Sequence, residues 1–146
     1  MFITPSPVFD VSVSGGADNL GNLPEWDLND LYQGTDDPKI NQDLVWLESE
    51  CAAFAADYEG KLAELNADDM LTCIQRNEKI STVAGRIMSF AGLRYYQLTT
   101  DGERTKFLSD AQEKITVFTT PLVFFTLELN RLSEEALTAL FDANAD

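Results

Sequence analysis

One pattern governs what this chain can become. From Pro38 onward, Ile40, Leu44, Leu47, Cys51, Phe54, Tyr58, Leu62 and Leu65 recur at steps of 4, 3, 4, 3, 4, 4 and 3. Steps of that size line up on one stripe of a helix but scatter over both faces of a strand. Asp37 followed by Pro38 marks the start: the acid caps, and proline at the first helical position gives up an N–H that had no partner there. The spacing predicts one long helix over 38–65, interrupted at Gly60 at a cost of about 1 kcal/mol relative to alanine. Trp46 lies off the stripe.

The same kind of signal recurs downstream. Asn66 caps a second helix, with Asp68 and Asp69 in its first turn. Met70, Cys73, Ile80, Val83, Ile87 and Phe90 form its apolar face. Ser81, Gly85, Ser89 and Gly92 form a row of small residues that either admits a close helix or simply marks weak helix positions. Thr100 and Glu103 read as a capping box opening a third helix. Along it Phe107, Ala111, Ile115, Phe118, Leu122, Phe125, Leu129 and Leu132 step by 4, 4, 3, 4, 3, 4 and 3. Pro121 sits inside that run and should kink it. Val117, Val123, Phe124 and Leu127 fill the remaining faces, so residues 115–129 are expected to be buried on every side. A three-helix bundle of this size rarely surrounds one helix completely, which points to a larger neighbour. Ser133 caps a fourth helix with Ala136, Leu137, Leu140 and Phe141 on its face. The final "DANAD" carries no stop signal, and a fragment of a larger protein is expected.

No strand pattern follows residue 22. The expected fold is all-α: an antiparallel helical bundle of three long helices plus a short fourth, with an irregular N-terminal arm. Residues 1–22 read as a flexible tail broken by Pro5, Pro7, Gly15, Gly16 and Gly21, in which only Val8, Phe9, Val11 and Val13 could pair as a strand. Residues 23–146 read as the helical domain. Between the two stands "LPEWDLNDLYQGTDDP", residues 23–38. Trp26, Leu28, Leu31 and Tyr32 have no place in a solvated linker, so they are expected to dock on this chain or on a partner. Leu28, Leu31 and Tyr32 share a face of one helical turn capped by Asp27.

Charge and composition remove several function classes. The net charge is −15, from 25 acids and 10 bases. The first 60 residues hold 12 acids and one base, Lys39. Nucleic-acid binding needs a basic face and is not expected. No histidine occurs, which removes the usual general base, the HExxH zinc motif, a Cys–His nucleophile and Glu-x-x-His di-metal bundles. GxSxG, P-loop and GxGxxG patterns are absent. Asp36/Asp37 and Asp68/Asp69 sit at helix starts and read as caps. Cys51 and Cys73 are offset by about 10 Å in a hairpin turning near residue 66, too far for a disulfide. Both read as small buried hydrophobes suited to a reducing compartment. No secretory signal and no 18-residue apolar run is seen, so a cytoplasmic protein without a membrane span is expected. Tyr95 and Tyr96, beside Arg94, are candidates for binding a peptide or partner.

Four pieces, in order, carry a resemblance: "LPEWDLNDLYQGTDDP", "YEGKLAEL" at 58–65, "AGLRYYQLTTD" at 91–101 and "QEKITVFTTPLVFFTLELNRL" at 112–132. Together they span residues 23–132 of 146. The chain resembles the N-terminal part of oligoendopeptidase F-like zinc metallopeptidases, relatives of thimet oligopeptidase. The resemblance implies a non-catalytic helical domain forming one wall of a substrate channel in a cytoplasmic enzyme that cleaves short peptides. Zinc, its HExxH motif and a downstream glutamate would lie in an absent C-terminal catalytic domain. No position here matches them, so no catalytic or metal residue carries over. Trp26, Leu28, Leu31, Tyr32, Phe124 and Phe125 become candidate docking groups toward that domain, and Tyr95 and Tyr96 candidates for the peptide channel. A lone fragment is expected either to expose an apolar patch or to self-associate and hide it. Two other readings are a stand-alone acidic helical adaptor and an acidic nucleic-acid mimic. The second is disfavoured because the acids cluster at helix starts and not on one face.

Overall fold

The computed structural model describes residues 27–143. The expected N-terminal tail, its Val8, Phe9, Val11 and Val13, and Trp26 lie outside the described residues. Five α-helices follow in order: α1 Pro38–Tyr58, α2 Ala67–Gln97, α3 Gly102–Thr119, α4 Val123–Leu129 and α5 Glu134–Ala143. No strand occurs among the described residues, and the all-α class is as expected.

Asp37 fixes the start of α1 with both carboxylate oxygens. Oδ1 accepts from the Lys39 N–H and Oδ2 from the Gln33 N–H, each at 2.9 Å. Those backbone bonds, Gln33's first, hold the Asp37 carboxyl below its ordinary pKa. The helix ends at Tyr58, earlier than its apolar stripe, because Gly60 turns the chain at φ +78°. Only glycine takes that conformation without a Cβ clash, so Gly60 stops the helix outright. The Lys61 ammonium donates to the Ala56 and Asp57 carbonyls, satisfying acceptors the helix end leaves open. A single 3-10 turn, Leu62–Glu64, then keeps Leu62 buried although the helix is gone.

Helix α2 runs 31 residues from an Asn66 cap that accepts from the Asp69 N–H at 2.9 Å. The cap of α3 is Asp101, not Thr100. Its Oδ1 accepts from the Glu103 and Arg104 N–H groups at 2.9 and 3.2 Å. A charged carboxylate that takes two donors outcompetes a hydroxyl one residue earlier. Pro121 does break the third apolar run: α3 stops at Thr119, Thr120–Leu122 form a 3-10 turn, and α4 starts again at Val123. Ser133 caps α5, its hydroxyl accepting from the Ala136 N–H at 3.2 Å.

The cross-helix contacts give the direction of packing. Arg76 on α2 meets Asp57 and Glu50 on α1, Lys79 meets Trp46, and Arg86 meets Asp43. As one number rises the other falls, so α1 and α2 run antiparallel. Phe90 against Phe107 and Arg94 against Arg104 show the same of α2 and α3. Helix α3 also touches α1, so the three long helices enclose one core. Its fully buried members include Leu47, Phe54, Leu62, Ile80, Ile87 and Phe90, together with Cys51 and Cys73. Both thiols are free. Burial pushes Cys51 up from its ordinary pKa and Cys73 up to about 11.

The row Ser81, Gly85 and Ser89 faces outward. A Cβ placed on Gly85 would meet nothing within 4 Å, so no helix approaches there among the described residues. No helix among the described residues is long and apolar enough to cross a membrane.

Two outcomes test this core. Phe54→Ala removes a ring with 0% exposure and should cost about 3–5 kcal/mol, read as a lower midpoint in urea. The Cys73 thiol stays protonated in the folded state at pH values where the unfolded thiol ionises. Stability should therefore fall as pH rises from about 9 toward about 11, and Cys73→Ala should flatten that fall in thermal melts across the same window.

Candidate functional site

The leading turn answers the puzzle of its own sequence. Asp27 accepts from the Asn29 N–H, and the Leu31 and Tyr32 N–H groups bond the Leu28 carbonyl, closing one turn. Tyr32 is 2% exposed. Its ring stands edge-on to Phe90 at 5.4 Å, and its hydroxyl donates to Asp43 Oδ2 at 2.7 Å. Asp43 in turn faces Arg86 at 3.6 Å. Burial first, then the Asp43 carboxylate, hold the Tyr32 phenol far above its ordinary pKa. Leu28 and Leu31 are half-buried against the same core. The turn therefore docks on its own helices, and Tyr32 has no surface left for a partner.

Phe124 and Phe125 also face inward, each 8% exposed. Their rings lie 6.0 and 5.7 Å from Phe54, which itself lies 4.9 Å from Tyr58. Arg76 covers the other side, its guanidinium 5.7 Å from the Phe54 ring and 5.4 Å from Tyr58. Expected as groups reaching toward a neighbour, the two phenylalanines are enclosed by this chain. The break at Pro121 is the reason: it re-aims α4 so that adjacent side chains, about 100° apart on a helix, straddle Phe54. The expectation of burial on all sides is corrected too: the re-aimed α4 turns Val123 and Leu127 out, and Val117 lies on the outer face of α3 before the break. Val117, Val123 and Leu127 point outward, each 53% or more exposed.

Glu128 joins two distant pieces of chain. Its carboxylate accepts from the Gly60 N–H at 2.8 Å and reaches the Leu62 N–H at 3.5 Å. The stop that ends α1 is thus held by α4. Sequence reasoning missed Glu128 and Arg76. The signal for Glu128 was an acid placed inside an apolar run, which calls for a specific donor.

Beside this junction lies an apolar groove of about 480 Å³ between the start of α2 and the α4–α5 connection. Met70, Leu71, Ile74, Leu129, Leu132, Leu137 and Leu140 line it. Leu71 is among the exposed large apolar residues. The groove brings together segments far apart in sequence, so no local pattern announced it. Tyr95 and Tyr96 lie at the opposite end of α2. Their rings meet edge-on at 5.3 Å, and Tyr96 is 74% exposed. They pack edge-to-face on each other, while Tyr32, Phe124 and Phe125 are in the core.

Among the described residues no three histidine, cysteine, aspartate or glutamate side chains come close enough to hold a metal. With no histidine in the sequence, these residues do not fit the zinc that the resemblance implies for a parent enzyme. Comparison with protein-family models, with curated proteins and with solved structures returns no match.

Glu128→Ala should cost about 1 kcal/mol by freeing the Gly60 N–H, and Gly60→Ala about 1–2 kcal/mol through its positive φ. Because the two residues touch, the double variant should depart from additivity by about 0.5 kcal/mol or more in urea unfolding.

Proposed function

We propose that this chain is the non-catalytic N-terminal helical domain of a cytoplasmic zinc oligopeptidase of the oligoendopeptidase F type. Its part is to form one wall of the substrate channel, admitting short unfolded peptides and excluding folded proteins. The catalytic zinc belongs to a separate C-terminal domain, and no residue here takes part in hydrolysis.

The observation that carries this reading is where the resembling segments fall. Tyr32, Gly60, Leu62, Phe124, Phe125 and Glu128 all come from the quoted pieces, and all sit at junctions between helices. The resembling pieces fall at this chain's own packing junctions, which supports a shared fold more than likeness confined to the surface would. The outward Val117, Val123 and Leu127 and the groove beside Leu71 add an apolar surface that a neighbouring domain could cover.

A self-contained acidic adaptor is the second reading. The inward placement of Tyr32, Phe124 and Phe125 favours it, since the largest apolar groups are already enclosed. The two readings part in solution. The domain reading expects binding of an apolar-sensitive dye and association rising with concentration in light scattering, both reduced by Leu127→Glu. A monodisperse chain that binds no dye sinks that reading and leaves the adaptor. The domain reading also expects no cleavage of a fluorogenic peptide by the pure chain, with or without added zinc; chelator-sensitive cleavage would contradict it.

A further inference from the structure

The corner where α2 ends and α3 begins holds two arginines on one neutral oxygen. Arg94 Nη1 donates to Gln97 Oε1 at 3.4 Å, and Arg104 Nη1 donates to the same atom at 3.3 Å. Arg104 is otherwise engaged: Nη1 also donates to the Arg94 carbonyl at 3.0 Å, and Nε lies 3.4 Å from Asp101 Oδ2. Arg94 is not. Its Nε is buried without a hydrogen-bond partner, and no carboxylate among the described residues pairs with it. This is unusual company for an arginine in a chain of 25 acids and 10 bases. Arg76 holds two carboxylates and Arg86 one.

The local charge is positive. Two guanidinium groups face one carboxylate, Asp101, and Glu103 forms no ion pair with either. The α2 C-terminus contributes about −0.5 charge and the adjoining α3 N-terminus about +0.5, so the helix ends cancel. A net charge of about +1 remains, on a guanidinium whose five N–H donors are mostly unused. Tyr95 and Tyr96, which meet edge-on, follow Arg94 at about 100° and 200° around the helix, so a site at this corner rests on the arginines and Gln97 and not on these rings.

We propose that Arg94, with Arg104 and Gln97, forms a carboxylate-binding site that takes the free C-terminal carboxylate of a peptide. A planar carboxylate matches the guanidinium fork. A dianion such as phosphate suits the corner less, because the Asp101 carboxylate, 3.4 Å from Arg104 Nε, repels two charges more than one. The site stands on this corner alone: its failure would leave the domain reading untouched, and failure of that reading would leave the site.

The test uses the full chain and three probes: N-acetylphenylalanine, its C-terminal amide, and inorganic phosphate. Titration followed by NMR at the arginine Nε–H resonances should show the acid binding with a dissociation constant on the order of 1 mM. The amide and phosphate should bind at least about tenfold more weakly, as should the acid to Arg94→Gln. Gln97→Glu puts a carboxylate where the ligand's would sit. It should abolish binding of the acid and raise the melting temperature by roughly 2–4 °C, an effect lost in high salt. This second variant keeps the proposal testable if Arg94→Gln fails to fold. Equal binding of acid and amide, phosphate binding as tightly as the acid, no binding of the acid, or a lower melting temperature for Gln97→Glu would each overturn it.

Discussion

The ring of Phe54 is the point through which the two halves of this fold communicate. It lies on α1, yet its neighbours come from both ends of the described chain: Tyr58 on its own helix, Arg76 on α2, and Phe124 and Phe125 on α4. Without that ring, Phe124 and Phe125 would lose their shared aromatic neighbour and α4 would be held to the end of α1 mainly by Glu128. With it, the break becomes a hinge point that folds α4 across the end of α1. Aromatic pairs at these separations and tilts add about 0.5–1.5 kcal/mol each beyond the area they bury. Three such contacts on one ring make Phe54 the hub of the aromatic pairs among the described residues.

Scarcity of positive charge shapes the rest. With only 10 bases against 25 acids, each base has many potential partners, yet the structure places them selectively. Arg76 bridges α2 to Glu50 and Asp57 of α1 while its flat face covers two aromatic rings. Arg86 steadies Asp43, which in turn receives the Tyr32 hydroxyl. Lys79 lies 5.1 Å from the Trp46 ring and Lys39 lies 5.9 Å from that of Tyr32. These are seams between elements. Each is partly exposed and individually weak in water. Their value lies in position: every one fixes the register of α1 against α2 or of the leading turn against both.

What the sequence made legible follows from what local spacing encodes. Helical steps reveal a stripe, and caps such as Asp37, Asn66 and Ser133 reveal where it begins, so the helices and most of their starts could be read directly. Leu47, Cys51, Phe54, Cys73, Ile80 and Phe90 were recognisable as core for the same reason. Spacing does not encode how far two helices rotate about a break. The segment after Pro121 therefore looked apolar all round, whereas the break turns Phe124 and Phe125 inward and Val123 and Leu127 outward. Nor does it encode contacts made over 68 residues, such as Glu128 on the Gly60 N–H. Gly60 looked like a flaw in a helix because the acid that holds its turn lies far downstream. Arg94 looked like an ordinary charge beside two tyrosines, because its lack of a carboxylate partner shows only once Gln97 and Arg104 are seen to converge.

The two ends of the bundle are built on opposite terms, and this bears on what the domain can do. At the end where α1 stops, Glu128, Gly60 and the Phe54 cluster are mutually satisfied, and the groove beside Leu71 is apolar. Anything that binds there is favoured by burial of apolar area alone. At the end where α2 meets α3, apolar cover is thin, and an arginine keeps donors to spare. Binding at the proposed site would be directional and weakened by salt. A peptide carries both kinds of chemistry: apolar side chains along its length and one fixed negative charge at its terminus. The α2 helix, about 46 Å long at 1.5 Å per residue, has its first turns at the groove and its last at the arginine pair. That length matches about 13 or 14 extended residues at 3.3–3.6 Å each. A ligand much shorter than that could not span from the groove to the arginine pair, so the two surfaces, as proposed, would act separately on short peptides.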